Sequence, residues 1–105
     1  MIKVLLYHNK NRDIYRFQVL NHADSIVCAG VSALVITCAN FIQSQFNLDV
    51  VQKHRDTGYI DFEIGEIKRG GRNHSANLII EHMVFGLRLI EESYSEDIRI
   101  YIKQE

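Results

Sequence analysis

Two side chains able to act as a base and a nucleophile, His22 and Cys28, stand with five residues between them in the stretch NHADSIVCAGVS. A histidine where a strand runs out and a thiol where a helix begins is one way to build an activated sulfur. The start of a helix carries roughly +0.5 of a charge, which favours thiolate over thiol. Thiols so placed ionise below the free value of about 8.5. A short loop can fold His22 back to within hydrogen-bond reach, where an imidazolium lowers the thiol further and can later protonate a leaving amine. Ser32 follows one helical turn after Cys28 on the same face, placed to bind substrate or orient a neighbour. The plainer reading of the same residues is a packing cysteine beside a polar strand end.

Cys38 is an internal control. It lies about 80° around the helix axis from Cys28 and has no helix terminus beside it, so it reads as structural. A disulfide between the two is not expected, because they are separated by about 15 Å along the helix. The cysteines and histidines show no CxxC or HxxxH spacing, so no metal site and no cofactor are expected. His8, His54, His74 and His82 fall in expected turns or surfaces and are given no role.

The elements that must hold His22 and Cys28 follow from periodicity. Residues 2–7 and 14–20 are rich in strand formers, and the second run puts Tyr15, Phe17 and Val19 on one face; the pair reads as an antiparallel hairpin ending at Asn21-His22. Residues 26–46 read as a helix capped by Asp24 or Ser25. Its first half is apolar nearly all round, which predicts cover on more than one side; Phe41, Ile42 and Phe46 are expected to pack. Residues 48–54 and 59–64 read as a second hairpin turning at Arg55–Gly58, with Ile60, Phe62 and Ile64 inward and Tyr59, Asp61 and Glu63 outward. Residues 65–74, with paired glycines and three basic residues, read as a mobile solvated loop. Ser75 is the expected cap of a second helix over 76–94, whose core stripe is Leu78, Ile79, Met83, Leu87 and Ile90. Gly86 within it predicts a close helix–helix contact. Residues 98–102 alternate as a last strand. The expectation is one α+β domain over residues 1–105, in the order ββαββαβ, with two helices on antiparallel sheet.

Composition bounds the function classes. A chain of 105 residues with 47% hydrophobic content is about one globular domain. Its 12 basic and 13 acidic residues are dispersed, leaving a net charge of -1 and no electrostatic footprint for nucleic acid or anionic membrane. The N-terminus is charged too soon for a signal peptide, and no apolar run is expected to reach the ~18 residues of a membrane span. Two cysteines make no disulfide framework, so a cytoplasmic setting with reduced thiols is expected.

HADSIVCAGVSAL, followed by LIIEHMVFGLRLIEESYSEDIRI, resembles the ribosomal-processing cysteine protease family of bacteria, also called the YsxB-like family. The resemblance covers nearly the whole chain, and its specific parts are the His-containing junction, the IVCAGVSAL helix start and the GLxxIEESY helix end. It implies a cytoplasmic, homodimeric endopeptidase that removes a short N-terminal extension from large-subunit ribosomal protein number twenty-seven. The family's histidine maps onto His22, its nucleophile onto Cys28 and its supporting serine onto Ser32. Three departures stand out: Asn21 replaces a glycine before the histidine, the His22–Cys28 loop is short, and Ser25 stands where an acidic residue is usual. Asp24, one step earlier, is then the candidate to orient His22. Asn tolerates a left-handed backbone best among non-glycine residues, which would preserve the turn. The rival to a peptidase is a non-catalytic, ribosome-associated binding protein in which Cys28 only packs; a thiol redox sensor is a third reading.

Overall fold

The computed structural model describes residues 1–55 and 59–104; the turn expected at Arg55–Gly58 lies largely outside them. The elements are β1 (Ile2–His8), β2 (Ile14–Leu20), α1 (Ser25–Gln45), β3 (Val50–Arg55), β4 (Tyr59–Ile64), a short α2 (Gly65–Lys68), α3 (His74–Ser93) and β5 (Ile98–Gln104). Both expected hairpins form, and an antiparallel β2–β4 pairing joins them into one sheet of order β3-β4-β2-β1-β5. The expectation of an antiparallel sheet is corrected at one edge, where β5 runs parallel to β1. The crossover that returns the chain to β1 is α3, as a parallel pair requires.

Strand alternation sets the core. Val4 pairs with Val19, Leu6 with Phe17 and Phe17 with Phe62, so the same face of neighbouring strands carries the apolar side chains. Phe17 and Phe62 stack at 4.9 Å. Against this face pack Val27, Val31, Val35, Cys38 and Ile42 of α1, and Ile80, Met83 and Leu87 of α3. Spacings of three and four residues bring each set onto one helical stripe.

The other face is polar at its centre. Arg16 grips Asp61 through two hydrogen bonds of 2.9 and 2.7 Å, and Gln18 links Asp61 to the Tyr7 hydroxyl. Asp61 thus lies on the outer face that its alternation predicted, and these bonds let it be buried there.

α1 meets the sheet on one side and α3 on another. Leu34 lies where a Cβ on Gly86 would sit, 2.9 Å from it, which is the close approach the glycine predicted. The cover is incomplete, however: Ile26, Ile36 and Phe41 are exposed, and Phe41 does not pack as expected. α1 is long and apolar enough, by length and composition, to cross a membrane, which corrects the expectation that no such run exists. Its Gly, Ser, Thr and Asn residues interrupt the apolar run without adding charge, and its Val27–Ile42 stripe is spent on the domain core.

Three local expectations are corrected around α2 and α3. Residues 65–74 are not a mobile loop: Asn9 donates to the Ile67 carbonyl at 2.7 Å, Asn11 to that of Gly70 at 3.2 Å, and Ile67 is buried. Asn73, not Ser75, caps α3, its side chain accepting from the Ala76 amide at 2.9 Å. The buried stripe of α3 is Ala76, Ile80, Met83 and Leu87, and Leu78, expected on it, is exposed.

Candidate active site

Strand direction brings the candidate residues together. Because β1/β2, β2/β4 and β3/β4 are each antiparallel, the starts of β1 and β4 meet the ends of β2 and β3 at one edge of the domain. α1 begins there. β2 stops at Leu20, and Asn21 takes a left-handed φ of 71°, the turn its amide side chain was expected to permit. Asp24 is the N-cap, accepting from the Ile26 amide at 3.0 Å through its carboxylate and from the Cys28 amide at 2.9 Å through its carbonyl. Cys28 is therefore the first residue whose own amide makes a full helical bond, at the close of the first turn.

The loop folds back onto the sulfur. The Ala23 amide donates to Cys28 Sγ at 3.3 Å, and the thiol can return a bond to the Ala23 carbonyl at 3.4 Å. Among the described hydrogen bonds none joins His22 to Cys28 or to Asp24, whose carboxylate serves the helix. His22 is exposed and Cys28 is half-buried.

Both line one cavity of about 340 Å³, together with Ser32 and Asn21. Its walls are otherwise mostly apolar: Ile2, Val19 and Ile60 come from the strand ends, and Val31, Val35 and Ile36 from α1. Cys28, Ser32 and Ile36 repeat every four residues, so one stripe of α1 faces the space. Cys38 does not reach it. It sits in the core, where burial pushes its thiol up to about 12. Two thiols on one helix thus meet opposite surroundings. Among the described residues no three His, Cys, Asp or Glu side chains are grouped to hold a metal ion.

The structure adds His54 and Tyr59 to the cavity lining. His54, expected in a turn or at the surface and without a role, is exposed as expected but lies on β3, paired with Ile60. Its signal was the shared parity of Val50, Gln52 and His54, which points all three to the core side once β3 is known to pair with β4. That pairing is not visible in local sequence.

The family profile described as cysteine protease Prp matches residues 1–99. The chain belongs to the Prp family of cysteine proteases. It is 28% identical to the ribosomal processing cysteine protease Prp of Bacillus subtilis over 95% of this chain and 96% of that one. It is 34% identical to the protein of the same name from Staphylococcus aureus (strain Mu50), over 78% and 80% of the two chains. Two solved Prp structures from S. aureus share the fold across 98% of this chain and 100% of theirs. One is in complex with a covalently linked product peptide (TM-score 0.88, 30% identity) and the other with a substrate peptide (TM-score 0.86, 28% identity).

Proposed function

We propose that the chain is a cytoplasmic, homodimeric cysteine endopeptidase that removes the short N-terminal extension of bacterial large-subunit ribosomal protein number twenty-seven. Cys28 is the nucleophile and His22 the base and then the acid. The observation that carries this reading is the cavity shared by Cys28, His22 and Ser32 at the mouth of α1, in a chain of the Prp family.

Cys28 Sγ attacks the scissile carbonyl while its proton passes to His22. The S–C bond forms, and the tetrahedral oxyanion develops beside the sulfur. The Ala23 amide, which donates to Sγ at 3.3 Å, and the first-turn amides of α1 are the candidate donors to that oxyanion. Collapse breaks the C–N bond, and His22 gives its proton to the leaving amine. Water then hydrolyses the thioester, returning the proton to sulfur and releasing the carboxylate. Among the described hydrogen bonds none joins His22 to Sγ, and catalytic contacts of this kind often tighten only when substrate binds.

Ser32, one turn along, supports substrate binding. Asp24 supports the site as the cap that fixes the first turn under Cys28. The apolar walls suit an extended peptide with bulky apolar side chains next to the scissile bond. For the homodimer, the supporting feature is the row of exposed Leu78, Phe85 and Leu89 along α3.

Incubating the protein with the extended ribosomal protein, beside Cys28→Ala and His22→Ala, tests the reading. Cleavage by the parent alone is expected; cleavage that persists in Cys28→Ala rules out the mechanism. Sedimentation of the parent against Phe85→Lys reads the dimer separately.

A further inference from the structure

Charges that are dispersed along the sequence are sorted by the fold. Of the 12 basic residues, only Arg88 stands on α1 or α3. Residues 21–49 hold Asp24 and Asp49 and no basic residue, and residues 73–97 set Glu81, Glu91, Glu92, Glu96 and Asp97 against Arg88 alone. The helical side is therefore acidic, and the strands, with α2 and the loops beside it, carry the excess of positive charge. A net charge of -1 conceals this polarity.

Unpaired cations gather on β1 and β5. Ile2, Val4 and Leu6 of β1 and Ile98 and Ile100 of β5 are buried in the core. Alternation therefore turns Lys3, Leu5 and Tyr7, and Arg99, Tyr101 and Lys103, to the outer face of the sheet. The parallel register sets them in three rows: Lys3 beside Arg99, Leu5 beside Tyr101 and Tyr7 beside Lys103. No acidic residue stands among the six. Lys3, Arg99 and Lys103 are exposed and enter no ion pair among the described residues, whereas Arg16, Lys68, Arg69, Arg72 and Arg88 are each paired. The Tyr7 ring is already engaged: the Arg16 guanidinium lies 4.8 Å over it, and its hydroxyl donates to Gln18. Tyr101, 37% exposed, is the open ring of the pair. Arg99 and Lys103 flank it, each about 7 Å away along the strand.

We propose that the outer surface of β1 and β5 binds single-stranded RNA, its phosphates on Lys3, Arg99 and Lys103 and a base stacked on Tyr101. Unpaired cations beside an accessible ring match a strand that exposes both its phosphates and its base faces. A duplex keeps its base faces stacked within, and an acidic peptide would leave the ring unused. The acidic helical side repels the same strand and so favours its approach to the sheet. The surface is separate from the site already described, because Ile2, Val19 and Ile60 of the Cys28 cavity lie on the core side of their strands. The exposed row of α3 proposed for the dimer is on the helical side, so dimerisation there leaves this surface open. Only the choice of RNA over DNA rests on the peptidase reading, in which the substrate is a ribosomal protein.

Fluorescence anisotropy of a labelled oligouridine tests this in the parent, a Lys3→Glu/Arg99→Glu double variant, Tyr101→Ala and Tyr101→Phe. The parent is expected to bind saturably at about 50 mM salt and about tenfold more weakly at about 150 mM, as three phosphate contacts on a single strand predict. The double variant should lose at least about tenfold in affinity and most of the salt dependence. Tyr101→Ala should lose about tenfold with the salt slope unchanged, while Tyr101→Phe, which keeps a ring, should bind as the parent does. The chain has no Trp, so tyrosine emission is directly visible; oligouridine should quench it in the parent and less in Tyr101→Phe. Iodoacetamide should alkylate Cys28 at the parent rate in every variant, showing that the fold is intact. A parent that does not bind overturns the proposal, as does an unchanged affinity in the double variant or in Tyr101→Ala. An RNA duplex or polyglutamate bound as tightly as oligouridine also overturns it, and tighter binding of oligothymidine overturns the choice of RNA. None of these outcomes bears on the peptidase reading, which the cleavage assay decides separately.

Discussion

Cys28 and Cys38 share one helix, yet one faces a cavity at the helix mouth and the other is sealed between α1 and α3. The Cys28 sulfur meets a backbone amide and carbonyl from the folded-back loop, and solvent beyond them. Cys38 meets the Ile79 carbonyl only at 4.0 Å and is otherwise surrounded by apolar side chains. Residue type is identical, so the difference lies in what each turn of the helix packs against. A helix can present an accessible and a buried thiol ten residues apart because successive turns pack against different neighbours.

The largest effect should come from alkylation of the native protein. Cys28 is expected to react on the order of a hundredfold faster than Cys38, which is reachable only through opening of the core. Mass spectrometry of iodoacetamide-treated protein reads this directly; equal rates would erase the contrast.

Alkaline stability comes next. The Cys38 thiol rises from its ordinary 9.0 to about 12 in the fold, so the unfolded chain loses this proton first. Stability from the neutral thiol is intact below about pH 9 and declines as pH rises toward 12, by about 1.4 kcal/mol per pH unit from this group. Urea titrations of the parent and Cys38→Val across pH 8 to 11 should show a shallower decline in the variant, an order-of-magnitude expectation.

A smaller loss should follow from filling the α1–α3 contact that seals Cys38. A Cβ at Gly86 already meets Leu34 side-chain carbons at 2.9 and 3.0 Å. Gly86→Val is therefore expected to cost roughly 1–3 kcal/mol by overpacking, read as a lower denaturation midpoint. If the midpoint holds, α1 and α3 are not in tight register.

The smallest change concerns the other end of α1. Asp24→Ala removes the side-chain cap at Ile26 and should cost about 1 kcal/mol. It should also loosen the turn beneath Cys28, so that peptide cleavage falls more than global stability does. Asp24→Asn keeps the cap and should restore both.

The legible parts of this chain were those governed by short-range chemistry. Alternation in β1, β2 and β4, the helical period of α1 and α3, the Asp24 cap and the tolerance of Asn21 for a left-handed turn all act within a few residues. Ser75 misled because Asn73, two positions earlier, offers an equally good acceptor and captures the Ala76 amide first. The segment 65–74 misled because glycines and basic residues describe its composition, while its order comes from Asn9 and Asn11 far away in the chain. His54 was overlooked because nothing near it in sequence announces a cavity.

By itself the sequence determined the order of the strands and the two long helices, and it set a histidine, a capped helix start and a thiol side by side, with five residues between His22 and Cys28. Tertiary structure alone decided that β2 pairs with β4 and that β5 joins β1 in parallel. Those decisions depend on which apolar faces bury one another, a long-range balance that no local window contains. They bring His22 and Cys28 into one cavity with the strand ends, and they put His54 in its lining.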